Sequence, residues 1–191
     1  PILFFGLITM GAYWTDVEQR PLALVMKFKP QVNVENAAKN KIIKERATKL
    51  FDGDTLRTDQ NGFAVVQFMD KSIAKVSPES RLIVRGEVES KQNTSTRIGL
   101  ELGEVLMNVS EQVSNNFEVA TNTSVASVKG TEFGATSDDY FWVKEGEVEV
   151  AVNRTGQTVT LRDSSFAQVT SQGEIETGEL NEDEVQQQED E

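Results

Sequence analysis

Apolar and polar residues alternate between Phe117 and Val152, and this alternation restricts the possible folds more than any other feature of the sequence. The apolar positions of these runs are Phe117, Val119, Val125, Val128, Phe141, Val143, Val148, Val150 and Val152. A period of two sends successive side chains to opposite sides of a pleated strand, so each run predicts a strand with one buried face. Glycine-containing turn signals separate the runs. The stretch therefore predicts short strands joined by tight reversals.

The same combination of strands and turns continues on both sides of this stretch. It predicts strands over 63–68, 73–76, 81–84, 98–109 with a bend at Gly103, and two strands within 158–169. A short motif, Gly followed by Asp or Glu and then by Leu or Val within the next two positions, recurs at Gly53, Gly103 and Gly146 as a weak internal repeat. Many short strands without a long helix predict an all-β domain, either a sandwich or a solenoid.

Composition excludes several classes of function. The 191 residues suffice for one ordinary globular domain. With 31 acidic and 19 basic residues the net charge is −12, which disfavours nucleic acid as a partner. The absence of His and Cys removes imidazole bases, the usual catalytic triads, disulfides and His/Cys zinc sites. Because the carboxylates are scattered over turns and strand surfaces, we predict a non-enzymatic protein with no catalytic residue, metal site or cofactor.

The first 14 residues are uncharged and almost wholly apolar. A membrane-spanning helix needs about 20 such residues, so we expect the end of a single transmembrane helix that begins upstream of Pro1. A buried core segment and the apolar part of a signal peptide are the alternatives. The residues expected to anchor the chain in the membrane are Leu3, Phe4, Phe5, Leu7, Ile8 and Trp14.

Apolar residues almost vanish after Gly173. Such a composition cannot bury enough surface to offset the entropy lost on ordering, so residues 174–191 are predicted to be a disordered acidic tail. The predicted organisation is the end of a membrane helix at 1–14, a linker at 15–21, an all-β domain at 22–173 and this tail.

Three sequence elements occur in an order that resembles the FecR domain family. The first is GDTLRT at 53–58 with DKS at 70–72, the second is LELGEV at 100–105, and the third is VASVKGTEF at 125–133 followed by EGEVEV at 145–150. The positions that carry the resemblance are Gly53, Asp54, Thr58, Gly103, Thr121, Gly130, Thr131, Phe133, Glu145 and Gly146. The resemblance covers roughly residues 22–173.

The resemblance implies a β-solenoid-like or rolled β-sheet domain, with a β-sandwich as the alternative. It favours a hairpin turning near residues 38–40 over a helix within 31–50. It also implies a regulator of anti-sigma type, anchored in the inner membrane with its all-β domain in the periplasm. Such transducers pass the occupancy of an outer-membrane receptor to a cytoplasmic sigma factor, so the expected partner is a receptor signalling domain or a similar envelope protein. The alternative is a stand-alone envelope adaptor or polysaccharide-binding module. The oligomeric state stays open.

Trp142 is the side chain singled out for partner binding. It is out of phase with Phe141 and Val143, whose side chains are expected to face the core. The indole therefore either covers neighbouring strands or forms part of an exposed aromatic pair that binds a glycan or a protein.

Overall fold

The structure, a computed structural model, describes residues 19–36, 39–43, 45–90, 93–111 and 116–181. Every secondary-structure element assigned in these residues is a β-strand. In chain order they are β1 (Ala23–Lys29), β2 (Val32–Asn36), β3 (Lys39–Ile42), β4 (Thr48–Leu50), β5 (Thr55–Thr58), β6 (Phe63–Phe68), β7 (Ile73–Val76), β8 (Arg81–Ser90), β9 (Asn93–Leu102), β10 (Glu104–Asn108), β11 (Asn116–Ala120), β12 (Ser124–Val128), β13 (Glu132–Thr136), β14 (Tyr140–Glu145), β15 (Glu147–Val152), β16 (Thr158–Arg162), β17 (Ser165–Val169) and β18 (Ile175–Glu179).

The strands form two nine-stranded sheets between which the chain passes repeatedly. Sheet A has the order β18-β17-β14-β13-β10-β7-β6-β1-β4, and sheet B has the order β16-β15-β12-β11-β9-β8-β5-β2-β3. Among the described strands, β9 and β11 form a parallel pair and the other neighbours are antiparallel. Both orders run from N-terminal strands at one end to C-terminal strands at the other, so the two sheets follow the chain in the same way.

The inward faces of both sheets share one apolar core. In β6 the side chains alternate between half-buried and buried, and the buried set includes Val66 and Phe68. The rings of Phe68 in sheet A and Phe117 in sheet B meet edge to face, with centroids 5.3 Å apart. Removing these faces from water is the main contribution to the stability of the fold.

The predicted all-β class is confirmed. Both sheets are open, with β4 and β18 at the edges of sheet A and β3 and β16 at the edges of sheet B. The described strands do not show the stacked coils of a regular solenoid, so the finer choice between a solenoid-like form and a sandwich stays a prediction.

The described residues between 31 and 50 contain three strands, in agreement with the strands that the resemblance favoured over a helix. Strands β2 and β3 pair antiparallel, with Asn33 opposite Ile42 and Asn36 opposite Lys39, and β4 follows. The predicted turn at 38–40 lies partly outside the described residues. The described part of the polar stretch at 86–96 lies in the long strands β8 and β9, which pair from Arg81 and Leu102 to Ser90 and Asn93.

Strand β18 lies within the residues predicted to form the acidic tail. Residues 175–179 pair with β17 along sheet A, and Leu180 beyond them is buried. Backbone hydrogen bonds to β17 supply the order that the side chains alone cannot. Residues 182–191 lie outside the described part of the chain.

The predicted membrane anchor lies wholly outside the described residues. This applies to residues 1–14, including all six expected anchor positions, and to most of the predicted linker. In the part of the chain that the structure describes, no helix has the length and apolarity required to cross a bilayer.

Candidate functional site

The residues that carry the family resemblance lie mainly at corners where the chain leaves one strand for the next. At one corner the Thr131 hydroxyl accepts a hydrogen bond from the Glu147 N–H (3.2 Å) and donates one to the Glu147 carbonyl (2.8 Å). Gly146 has φ +102°, and a Cβ there would lie 2.9 Å from Thr131 Oγ1. Only glycine fits this close approach without strain.

A second corner repeats this arrangement. The Ser80 hydroxyl accepts from the Glu104 N–H (3.1 Å) and donates to the Glu104 carbonyl (3.2 Å). Gly103 has φ +81°, and a Cβ there would lie 2.7 Å from the Ser80 Cα. Two of the three copies of the weak sequence repeat therefore have the same local structure. In it, a buried hydroxyl forms hydrogen bonds with both the N–H and the carbonyl of the glutamate that follows the glycine.

The remaining corners use carboxylates and hydroxyls in other ways. After Gly53 (φ +83°) the buried Asp54 carboxylate accepts the Phe51 N–H at 2.8 Å. Thr58 donates to the Ser77 carbonyl at 2.7 Å.

The Asp139 carboxylate, 7% exposed, accepts hydrogen bonds from the hydroxyls of Thr121 and Thr123. Asp139 lies in the β13–β14 turn of sheet A and both threonines in the β11–β12 turn of sheet B, so this cluster joins the two sheets.

The other residues of the resemblance have simpler surroundings. Gly130 takes a left-handed conformation (φ +66°) next to Glu111, Phe133 is buried in the core, and Glu145 is exposed at the end of β14. The set as a whole is spread along both sheets and does not line a common cleft.

Trp142 is not exposed, so of the two arrangements predicted for it the structure has the one in which the indole covers neighbouring strands. It is 4% exposed and lies on the outer face of sheet A, since its neighbours Phe141 and Val143 face the core. Its ring lies over Gly134, where a Cβ would come within 2.6 Å of Cη2. Tyr140 packs against the indole with ring centroids 5.5 Å apart. The missing side chain of Gly134 thus makes room for the indole, and Trp142 covers β13.

A groove of about 440 Å³ lies beside the indole on the outer face of sheet A. Its lining residues come from β7, β10, β13 and β14: Ile73, Lys75, Leu106, Met107, Asn108, Glu132, Phe133, Trp142 and Lys144. Strand register explains this grouping, because Lys75 pairs with Leu106, Leu106 with Gly134, and Gly134 with Trp142. Four strands about 4.8 Å apart make the groove roughly 14 Å across.

The groove combines an apolar floor with cations at its rim. Leu106 is half-buried and Ile73 is 38% exposed. Lys144 Nζ lies 3.6 Å from Glu132 Oε1, whereas Lys75 is exposed and makes no ion pair with any residue that the structure describes. The groove carries two cations and one anion although the whole chain has a net charge of −12. It can therefore bind a ligand that is both apolar and anionic.

Sequence reasoning found Trp142 but missed the residues around it. Ile73, Lys75 and Leu106 occupy outward-facing positions of their strands, and this can be predicted from the alternation in the sequence. Their adjacency depends on strand register, which the sequence does not indicate. Within the described ranges, no group of three or more Asp, Glu, His or Cys residues is placed to hold a metal ion.

Three comparisons with known proteins bear on the identity of the chain. A family model described as FecR protein matches residues 54–152. Two crystal structures of a provisionally assigned anti-sigma factor from Parabacteroides distasonis ATCC 8503 are similar in structure, each with a TM-score of 0.58 and 19% sequence identity. The similarity covers 69% of this chain and 62% of the other, and at this identity it establishes the fold alone. No curated protein matches the chain significantly.

Proposed function

Because the chain belongs to the FecR protein family, whose model covers more than half of it, we propose that it is a non-enzymatic signalling regulator of anti-sigma type. The family match over residues 54–152 is the observation that carries this proposal, and it confirms the resemblance found in the sequence. The fold shared with the provisionally assigned anti-sigma factor supports it. The chain spans 62% of the length of that protein, so activity and partners are part of the proposal.

The regulator acts at the cell envelope. The uncharged, apolar residues 1–14 support a single membrane-spanning anchor in the inner membrane, with the all-β domain in the periplasm. In this arrangement the domain binds an envelope protein, such as the signalling domain of an outer-membrane receptor. The bound state is then passed through the anchor to the cytoplasm.

The structure offers a surface suited to protein binding. The groove beside Trp142 has an apolar floor that includes the half-buried Leu106, with the partly exposed Ile73 at its border, and apolar contact area is typical of the centre of a protein interface. An exposed ring on which sugars could stack was the feature that favoured a polysaccharide-binding module, and Trp142 is 4% exposed. The burial of the indole thus removes the feature that favoured the glycan-binding alternative, and the protein-binding regulator is the function we propose.

Transcript profiling in the host organism tests the regulatory role. Deleting the coding region for this chain should change the expression of a restricted set of genes with a common promoter type. Restoring the wild-type chain should reverse the change. Unchanged transcript levels under envelope signals that activate related systems would contradict the proposal.

Location is tested separately in the same host. The full-length protein should stay in the membrane fraction after an alkaline carbonate wash, and protease added to spheroplasts should digest the all-β domain. Protection of the domain until the inner membrane is lysed would place it in the cytoplasm and would contradict a periplasmic regulator.

A further inference from the structure

The groove on the outer face of sheet A has a composition that restricts what can occupy it. Leu106 and Trp142 line its floor, and Ile73 borders it at 38% exposure. A volume of about 440 Å³ lies in the range of roughly 300–1,000 Å³ that is typical of ligand sites. Such a space accommodates a large apolar side chain together with part of the backbone that carries it.

The charge of the groove differs in sign from that of the molecule. Lys144 is neutralised in part by Glu132 at 3.6 Å, but Lys75 has no ionic partner among the described residues. Lys75 pairs in register with Leu106, so the Lys75 side chain leaves the sheet at the position next to the apolar floor. A carboxylate beside an apolar group would satisfy both features at once.

We infer that this groove binds an acidic segment of an envelope protein, with a large apolar residue in the groove and a neighbouring carboxylate at Lys75. The inference deepens the proposed function and rests on it for the location of the partner. An anionic glycan would also meet Lys75, but it would leave the apolar floor unused. A basic segment would be repelled by Lys75 and Lys144.

A display library of random nine-residue peptides provides the probe. Selection on the full 191-residue chain, kept in mild detergent because of its apolar first residues, should enrich peptides in which Asp or Glu neighbours Phe, Trp or Leu. Lack of such enrichment, or enrichment of basic peptides, would overturn the inference.

Charge reversal at Lys75 is the decisive variant, and Lys27 offers a matched control. Both lysines are exposed on the outer face of sheet A, in register with Val65, but Lys27 lies outside the groove. Fluorescence anisotropy with the best selected peptide should show K75E binding about five-fold or more weakly, and K27E unchanged. Equal affinities for wild type and K75E would overturn the proposal. Because Lys75 is exposed, K75E should retain the wild-type melting temperature.

The Trp142 indole N–H gives a second readout that does not depend on a substitution in the groove. The chain has two tryptophans, Trp14 and Trp142, so W14F leaves a single indole signal in the NMR spectrum. The acidic peptide should shift this signal. A shift caused by soluble peptidoglycan fragments, without one from the acidic peptide, would replace the protein partner by a glycan and overturn the inference.

The two proposals fail in different ways. If acidic peptides bind through Lys75 but deletion of the chain leaves transcription unchanged, the groove stands and the regulatory function fails. If deletion changes transcription, K75E complements it fully and no acidic peptide is selected, the regulatory function stands and the groove inference fails.

Discussion

The outer faces of the two sheets differ sharply although their inner faces are alike. Outside sheet A, Tyr140 packs against both Trp142 and Phe166, each pair with centroids 5.5 Å apart, and the groove adjoins them. Sheet A also has the cross-strand ion pair Lys144–Glu132, but outside sheet B such pairs predominate and link neighbouring strands. They are Arg81–Glu101 at 3.2 Å, Arg97–Glu118 at 3.2 Å and Arg162–Glu147 at 3.0 Å.

This contrast separates what specifies the fold from what specifies an interaction. The inward residues of both sheets alternate in the same way and build one core. Exposed ion pairs keep a sheet face hydrated and add little to stability. An aromatic cluster on an outer face adds stability and leaves a surface that a partner can cover. We therefore expect substitutions on the two faces to have unequal effects.

Replacing Trp142 by Ala should have the largest effect. The indole is 4% exposed and contacts Tyr140 and Gly134, so its loss should lower the free energy of unfolding by about 3 kcal/mol. Urea unfolding followed by circular dichroism measures this change. The control is Ile83→Ala, a half-buried outward position on sheet B, which should cost about 1 kcal/mol. Equal losses would remove the energetic difference between the faces.

A matched pair of glycines gives the next largest contrast. A methyl group at Gly134 would collide with the Trp142 ring, so Gly134→Ala should lower the free energy of unfolding by about 2 kcal/mol. At Gly99, which faces outward on sheet B, the nearest atom to an added Cβ is the Ile83 Cβ at 3.7 Å. Gly99→Ala should therefore raise stability by about 0.5 kcal/mol. Thermal and urea unfolding of both variants check the prediction, and a stabilising Gly134→Ala would contradict it.

Strand β18 at the edge of sheet A should show a smaller, local effect. A Cβ at Gly178 would lie 2.6 Å from the Phe166 ring, so Gly178→Ala should weaken the pairing of β18 with β17 by about 1 kcal/mol. Hydrogen exchange should speed up at the amides of β18 and remain unchanged in the central strands. Unaltered exchange in β18 would show that the Phe166 ring moves aside freely.

The ion pairs of sheet B should give the smallest effect. A double-mutant cycle with Arg97→Ala and Glu118→Ala should yield a coupling energy of about 0.5 kcal/mol, because both side chains are partly exposed. The coupling should shrink further in 0.5 M salt as screening increases (~4 Å Debye length). A coupling above about 2 kcal/mol would mean that this face, too, contributes substantially to stability.

The sequence predicted the strands well because inward alternation is a local signal. It did not predict contacts that depend on register. Trp142 lies over Gly134, and nothing within either strand indicates that the two face each other. Strand β18 has a single strongly apolar residue, Ile175, and owes its order to pairing with β17. The glycine-glutamate repeat was readable, but its hydroxyl partners Ser80 and Thr131 were not.

In both sheets the strand order runs from N-terminal to C-terminal strands, and this order affects how the domain folds. Of the strand residues paired in the structure, the most widely separated along the chain are Ala23 and Phe68. No strand in the described part of the chain pairs with a strand from the opposite terminus. Contacts between residues that are close in sequence favour rapid folding. A chain that emerges from the ribosome or from a translocation channel with its N-terminus first can bury β1 to β7 before the last strands have been delivered. Assembly can therefore follow the direction of synthesis, one pair of strands after another.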